Sequence, residues 1–176
     1  ITREKVVMNP ITAEVIENNI GYLQVMSFDE DCSVEFKQKY YELKNKGISS
    51  LIIDLRNNGG GLVQEALSIA DYIIPKGKKL MITVNKKESE ITTVAEEEPT
   101  IDIPIIVLVN ENSASASEIL VGALRENNCA KIVGTKTYGK GVIQEILKLT
   151  DGSALKLTTE EYFTPNKNKI NRIGIE

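Results

Sequence analysis

A serine-rich segment follows a short apolar run in the middle of the chain. Residues 103–109 predict a buried strand, and S-A-S-A-S-E at residues 113–118 predicts the start of a helix. In open α/β sheets, reacting groups collect at the carboxyl ends of strands. A serine at a helix N-terminus also lies beside free backbone N–H groups that can stabilise an oxyanion. The alternative is structural, because Ser115 and Glu118 fit a capping box and Ser113 fits a helix N-cap.

Three consecutive glycines follow another apolar run. D-L-R-N-N-G-G-G occupies residues 54–61, and its first two residues end the strand predicted at residues 51–55. Consecutive glycines cost backbone entropy, so we expect the turn to need positive φ angles or a close backbone approach. The alternative is a plain strand-to-helix turn. The segment matches neither the Walker A pattern nor G-x-G-x-x-G, which disfavours a nucleotide-binding loop.

A lysine lies between two glycines later in the chain, in T-Y-G-K-G-V-I-Q at residues 137–144. Burial favours the neutral form of an amine, and only the neutral amine can act as a general base. Lys140 is therefore a candidate base, although most lysines are exposed loop residues.

The composition narrows the chemistry that these segments can support. The 176 residues have a formal charge of −4 and contain no histidine. A catalytic Ser-His-Asp or Cys-His arrangement within the chain is therefore excluded, as is any zinc site that includes histidine. A serine nucleophile would need another base, and lysine is a known substitute. The mildly acidic balance gives no support for nucleic acid or an anionic membrane surface as a partner.

The chain has two cysteines, Cys32 and Cys129. Two are too few for a disulfide framework or a metal cluster, and two free thiols are favoured over a single bridge. We predict no cofactor and no metal site. No apolar run approaches the length that a transmembrane helix requires.

The hydrophobic pattern predicts strands and helices that alternate around a largely parallel sheet. Asp31 is the predicted N-cap of the first helix, Gly47 marks its end, and Leu62 begins the apolar face of the second. The polar segment 85–100 is expected to be an exposed hairpin and loop. Further short strands are predicted at residues 21–28, 130–134, 142–149, 153–158 and 161–163. The Asp151-Gly152 turn predicts that the later strands form a hairpin added to the sheet.

Four segments, in this order, resemble the C-terminal processing (tail-specific) serine proteases. They lie at residues 54–61, 113–118, 137–144 and, as D-G-S-A-L-K-L-T, 151–158. The resemblance implies a ClpP/crotonase-like layered α/β core with a mostly parallel sheet, helices packed on it and an added β-hairpin. It also implies that residues 21–176 form the protease core and that residues 1–20 are the end of a truncated PDZ or linker region. Residues 1–7 resemble the final strand of a PDZ domain.

The resemblance also implies a catalytic arrangement. Ser115 would be the nucleophile, and Lys140, 25 residues later, the base. Gln144 matches the glutamine that orients this amine in many members of the family. Four residues separate Lys140 from Gln144, so an extended segment would place both side chains on one face.

The implied oxyanion hole consists of the backbone N–H of Ala116 and that of Gly60 or Gly61, and the choice between the glycines stays open. Some members of the family have an aspartate eleven residues after the nucleophile. This chain has Glu126 there, for which a surface carboxylate is the favoured interpretation.

By resemblance, the protein is a serine endopeptidase that cleaves unfolded or tail-exposed proteins near apolar C-termini through an acyl-enzyme. Its expected partners are such proteins or peptides, with no nucleic acid and no membrane contact, and its oligomeric state is left open. The isolated core can be inactive without a PDZ domain, and the expected location is extracytoplasmic, in the bacterial cell envelope or secreted. One alternative is a non-catalytic peptide-binding relative. An acyl-CoA enzyme of the same architecture is disfavoured, because it would need acidic catalysts in place of the serine and lysine.

Overall fold

A computed structural model describes residues 10–176, and the strand predicted at residues 1–7 lies outside them. The described residues form nine strands, three α-helices and a short 3-10 helix at Glu17–Asn19. In chain order the strands and α-helices are β1 (Ile11–Ile16), β2 (Ile20–Val25), α1 (Cys32–Asn45), β3 (Ser50–Asp54), α2 (Val63–Asp71), β4 (Lys79–Asn85), β5 (Glu90–Val94), β6 (Ile105–Val109), α3 (Ala116–Glu126), β7 (Lys131–Gly134), β8 (Val142–Lys148) and β9 (Ala154–Phe163).

The first sheet has five strands in the order β1-β2-β3-β6-β7. Every neighbouring pair is parallel except β1 and β2, which confirms the predicted mostly parallel sheet. Asp54 at the end of β3 pairs with Leu108 near the end of β6. The glycine turn and the serine-rich segment therefore leave the same edge of the sheet side by side.

β1 lies within residues 1–20 and pairs with β2 along its whole length. The assignment of residues 1–20 to a separate PDZ or linker region stays a prediction.

The second sheet has four antiparallel strands in the order β5-β4-β9-β8. The predicted hairpin forms from β8 and β9, but it joins this second sheet through the β9–β4 pairing rather than the parallel sheet. The strands predicted at residues 153–158 and 161–163 are one strand, because β8 pairs with the first part of β9 and β4 with its end. The polar hairpin predicted at residues 85–100 is formed by β4 and β5, whose first strand begins earlier, at Lys79.

The helices differ in how deeply they are buried. α1 buries a stripe that includes Phe36, Tyr40 and Leu43 and ends just before Gly47, as predicted. Asp31 lies at the N-cap position, as predicted, but it adopts a left-handed conformation and its side chain makes no capping hydrogen bond. α3 is buried from Ala116 through Leu124 and packs against α2 and β4, so its N-terminus is held rigidly. Within residues 10–176, no helix combines the length and the apolar character needed to cross a bilayer.

Candidate active site

Ser115 occupies a strained backbone conformation at the N-terminus of α3. Its φ and ψ are 59° and −116°, a combination that residues other than glycine rarely adopt. Such a conformation costs about 1–3 kcal/mol and persists only where the surrounding structure enforces it, commonly at functional sites. The residue is 9% exposed. Ser115 therefore lies at the start of a buried helix, in a backbone conformation that is unfavourable for serine.

The glycine turn presses against Ser115. Gly60 has a φ of +102°, and a Cβ atom there would lie 2.8 Å from both the Cβ of Ser115 and the carbonyl oxygen of Ala114. Gly61 has a φ of +146°, and a Cβ there would lie 2.3 Å from the carbonyl oxygen of Phe28. The predicted need for positive φ and close backbone approach is confirmed at these two positions.

Asn58 is a completely buried residue that joins the glycine turn to the serine turn. Its side-chain amide donates to the carbonyl of Val25 at 2.9 Å, and its side-chain oxygen accepts the N–H of Gly60 at 2.8 Å. Its own carbonyl accepts the N–H of Ala114 and the hydroxyl of Ser117, both at 3.0 Å. The N–H of Gly60 is consequently occupied.

Two backbone N–H groups beside Ser115 have no partner. Within the described chain, neither the N–H of Gly61 nor that of Ala116 makes a hydrogen bond. Of the two glycines left open by the sequence, Gly61 is therefore the one with a donor available to a ligand at Ser115.

A buried carboxylate connects Ser115 to the loop that carries Lys140. Oε2 of Glu118 accepts the N–H of Ser115 at 2.9 Å and that of Lys140 at 2.8 Å. Oε1 accepts the hydroxyl of Thr137 at 2.6 Å and the N–H of Gly139 at 2.7 Å. The bond to Ser115 is the one expected of a capping box, but the same carboxylate also fixes the lysine loop. Hydrogen bonds to an ionised group are stronger than neutral ones, so this connection is firm.

A buried tyrosine makes a second connection between the same two residues. The hydroxyl of Tyr162, from β9, contacts the carbonyl oxygen of Ser115 at 3.0 Å and that of Lys140. Burial, with a further contribution from the Glu118 carboxylate, raises the pKa of the Tyr162 phenol well above its ordinary value. The hydroxyl therefore stays protonated and can donate.

Four of the predicted site residues line one open cavity of about 300 Å³, whereas Ala116 and Gly60 are not among its lining residues. Ser115, Lys140, Gln144 and Gly61 all line it, and Ile146 lies on its apolar side. No hydrogen bond joins the Ser115 hydroxyl to the Lys140 amine in the described part of the chain, and the amide of Gln144 instead lies 3.5 Å from the hydroxyl of Thr158.

The chain matches the model of peptidase family S41 over residues 19–176. It belongs to this family. It is 36% identical to the carboxyl-terminal-processing protease of Synechocystis, over 99% of this chain and 42% of that protein. It is also 36% identical to the carboxy-terminal processing protease CtpA of Bacillus subtilis, over 100% of this chain and 38% of that protein. The solved photosystem II D1 C-terminal processing protease superposes with a TM-score of 0.83 at 32% identity, over 99% of this chain and 49% of that one.

S41 is a family of serine-type peptidases, and the predicted family and fold are both confirmed. The chain spans less than half the length of these relatives.

The S41 segment D-L-R-N-N-G-G-G also contains an ion pair between a buried aspartate and a half-exposed arginine. Asp54 is completely buried and binds the guanidinium of Arg56, with a closest distance of 2.6 Å, and the hydroxyl of Tyr22 at 2.5 Å. Burial alone raises the pKa of the Asp54 carboxyl, but the hydrogen bonds from Arg56 and Tyr22 outweigh it and lower the pKa below its ordinary value. The pair fixes the start of the glycine turn.

Glu126 lies apart from the cavity of this S41 domain. Its carboxylate accepts the N–H of Asn166 at 2.6 Å and the side-chain amide of Asn168 at 2.8 Å. These bonds fix the connection after β9, a role that the interpretation of Glu126 as a surface carboxylate did not include.

The two thiols of the domain are free. Burial, followed by nearby carboxylates, raises the pKa of the Cys32 thiol to about 12, and burial also raises that of Cys129. Among residues 10–176, no three His, Cys, Asp or Glu side chains are grouped so that they could hold a metal ion.

Proposed function

We propose that the chain carries the catalytic centre of a serine endopeptidase, with Ser115 as the nucleophile and Lys140 as the general base. The observation that carries the proposal is the shared cavity, in which a strained serine faces a lysine whose backbone is bound to the same carboxylate. With no histidine in the chain, lysine is the remaining strong base beside that hydroxyl.

In this mechanism the neutral amine of Lys140 takes the proton of the Ser115 hydroxyl as the oxygen attacks a peptide carbonyl. The tetrahedral oxyanion accepts hydrogen bonds from the N–H groups of Ala116 and Gly61. Lys140 then gives the proton to the leaving amine, and water hydrolyses the acyl-enzyme with Lys140 again acting as base. Gln144 orients the Lys140 amine. Each oxyanion donor is worth about 3 kcal/mol of barrier.

The choice of Gly61 is supported by the hydrogen bonds around the glycine turn. The N–H of Gly60 already donates to Asn58, whereas the N–H groups of Gly61 and Ala116 have no acceptor within residues 10–176. An oxyanion hole needs donors that are fixed in place and unoccupied before the reaction.

The proposed substrates are unfolded or tail-exposed proteins with apolar C-termini. Two observations support this: the relatives are named as carboxyl-terminal processing proteases, and Leu62, Val63 and Ile146 form an apolar side of the cavity. We further propose an extracytoplasmic location, in line with the bacterial relatives that the chain resembles.

The test is cleavage of an unfolded protein with an apolar tail by the wild type, Ser115→Ala and the control Ser153→Ala, an exposed serine of the β8–β9 turn. We expect the wild type and the control to produce the same fragments by mass spectrometry, and Ser115→Ala to produce none. Lys140→Ala and Lys140→Arg should also be inactive, because a guanidinium does not deprotonate. Equal cleavage by the wild type and Ser115→Ala would remove Ser115 from the mechanism.

The alternative function is binding of peptides without cleavage. It is favoured by one observation, that the Ser115 hydroxyl and the Lys140 amine are not hydrogen-bonded to each other within the described residues. Absence of cleavage by the wild type, together with measurable binding of the same tail, would support this alternative.

A further inference from the structure

The β8–β9 hairpin turns two lysines towards the catalytic side. Side chains alternate along a strand, so Gln144, Ile146 and Lys148 lie on one face of β8. Lys156 of β9 is paired with Ile146 and therefore shares that face. Gln144, Ile146 and Lys156 all line the cavity that contains Ser115, which identifies this face as the one directed at the nucleophile. We call Lys148 and Lys156 the lysine pair.

Among residues 10–176, the lysine pair has no acidic partner in a salt bridge. None of the residues that line the cavity is an aspartate or a glutamate. Glu145 lies on the opposite face of the hairpin, with Leu147 and Leu157. In a chain with a net charge of −4, positive charge is thus concentrated on the catalytic face.

The position of the lysine pair relates it to the scissile bond. Strands rise about 3.4 Å per residue, so Lys156, level with Ile146, lies about 7 Å beyond Gln144 along the hairpin, and Lys148 about 14 Å. An extended peptide has the same rise. With the scissile carbonyl at Ser115 held level with Gln144, a group that reaches the lysine pair is roughly two to four residues away from that carbonyl.

We propose that the lysine pair binds a carboxylate of the peptide substrate, roughly two to four residues from the bond that is cleaved. This inference rests on the proposed function and refines its substrate class. The carboxylate is either an acidic side chain or the free C-terminus of the substrate, since both present the same chemistry to an ammonium group.

The expected effect is moderate and sensitive to salt. Exposed ion pairs each contribute little to binding, and charges are screened over about 10 Å at 0.1 M salt. Two lysines should therefore change affinity by about 3- to 10-fold at low salt, and the preference should shrink at high salt.

The experiment measures the binding of four rhodamine-labelled peptides to the Ser115→Ala variant by fluorescence anisotropy, in 20 mM and 500 mM NaCl. All four have the same apolar tail. The first has a free C-terminus and the second is amidated. The third and fourth are amidated and carry Asp or Asn, respectively, three residues from the end. Wild-type cleavage of the same peptides is measured in parallel.

We expect the free-acid peptide, the Asp peptide or both to bind 3- to 10-fold more tightly than their neutral partners at low salt. The partner pair that shows the difference identifies the source of the carboxylate. The double variant Lys148→Gln/Lys156→Gln should abolish the preference. The control Lys86→Gln/Lys87→Gln, which removes two exposed lysines from the β4–β5 turn, should retain it.

Equal binding of all four peptides, no measurable binding of either carboxylate peptide, or a preference that survives the double variant would overturn the proposal. Failure of the proposed function gives a different result. In that case the wild type cleaves no peptide, while the carboxylate preference in binding and its loss in the double variant remain.

Discussion

The backbone N–H groups of Ser115 and Lys140 donate to the same atom, Oε2 of Glu118, at 2.9 and 2.8 Å. On the carbonyl side, the hydroxyl of Tyr162 contacts both residues as well. Glu118 therefore joins the N-terminus of α3 to the lysine loop through backbone N–H groups, and Tyr162 joins them through backbone carbonyls. This arrangement fixes the two backbones and leaves both side chains free to face the cavity.

Tyr162→Phe tests the carbonyl-side connection. The ring stays, but the Lys140 carbonyl loses its hydroxyl partner, which should reduce the free energy of unfolding by about 1–2 kcal/mol. A small displacement of a catalytic group can slow a reaction by up to about 100-fold, so we expect kcat to fall at least 10-fold. KM should stay within about twofold, because the hydroxyl does not face the cavity. Steady-state kinetics and urea unfolding measure both effects.

Tyr41→Phe is the matched control for Tyr162→Phe, since Tyr41 is a partly exposed residue of α1 that is remote from the cavity. It should leave kcat unchanged. An unchanged kcat in Tyr162→Phe, or a raised KM alone, would show that the hydroxyl does not position Lys140.

Ser115→Gly tests the backbone strain at residue 115, the proposed nucleophile. Glycine adopts the φ of 59° and ψ of −116° without a Cβ penalty, whereas alanine keeps the strain. We expect Ser115→Gly to be more stable to urea than Ser115→Ala by about 1 kcal/mol, after the larger entropy of the unfolded glycine chain is subtracted. Both variants should lack peptidase activity.

Comparison of Ser115→Gly with Ser115→Ala removes the contribution of the hydroxyl, because neither variant has one. If the glycine variant is less stable than the alanine variant, the conformation at residue 115 is not strained and the serine turn is held by ordinary packing.

Gly60→Ala tests the contact between the glycine turn and Ser115. Its Cβ would lie 2.8 Å from the Cβ of Ser115, and its φ of +102° disfavours alanine. We expect activity to fall at least 100-fold, because the turn or the serine must move by about an ångström. The free energy of unfolding should fall by about 1–3 kcal/mol. Cleavage assays and urea unfolding measure the two effects.

Gly59→Ala is the control for Gly60→Ala, because a Cβ at Gly59 meets no atom within 4 Å and its φ is not positive. Activity and stability should stay close to those of the wild type. Equal losses in the two variants would mean that flexibility of the whole turn, rather than the approach of Gly60 to Ser115, determines activity.

Local patterns were sufficient to predict the parallel sheet and to mark the glycine turn, Ser115 and Lys140 as candidates, whereas Gln144 and the grouping of these residues came from the family resemblance. Apolar runs indicated β3 and β6, and the segments after them contain the glycines and Ser115. The glycines and Ser115 follow their strands closely in sequence. Because β3 and β6 are adjacent and parallel, both segments lie at one edge of the sheet.

The hydrogen bonds that hold the site together join residues distant in sequence, and local patterns did not predict them. Tyr162 contacts Ser115 from 47 residues away, and nothing around it distinguishes it from a core aromatic residue. Asn58 stands in the glycine segment, but its role depends on Val25 and Ser117. Glu118 was predicted only as part of a capping box. Long-range pairing also explains why β9 was predicted as two strands, since β4 completes it.

The pH dependence of stability should contain a contribution from Asp54. Its pKa is lowered in the folded protein, where the hydrogen bonds from Arg56 and Tyr22 outweigh burial. The unfolded chain therefore binds a proton at this residue more readily. The stabilisation is complete above the ordinary carboxyl pKa of about 3.9 and is lost as the pH falls through the lower folded pKa. The free energy of unfolding of the wild type, measured with urea, should fall as the pH is lowered from about 5 to about 3.

Asp54→Asn should flatten this pH dependence, because it removes the titrating group. It should also lower the free energy of unfolding at pH 7 by about 2 kcal/mol. The loss is limited because Arg56 is half exposed and stays partly solvated without its partner. The control Asp151→Asn removes an exposed carboxylate in the β8–β9 turn, and its loss of stability at pH 7 should be smaller. If Asp54→Asn and the wild type lose stability equally between pH 5 and pH 3, the ionisation of Asp54 does not contribute to the pH dependence of folding.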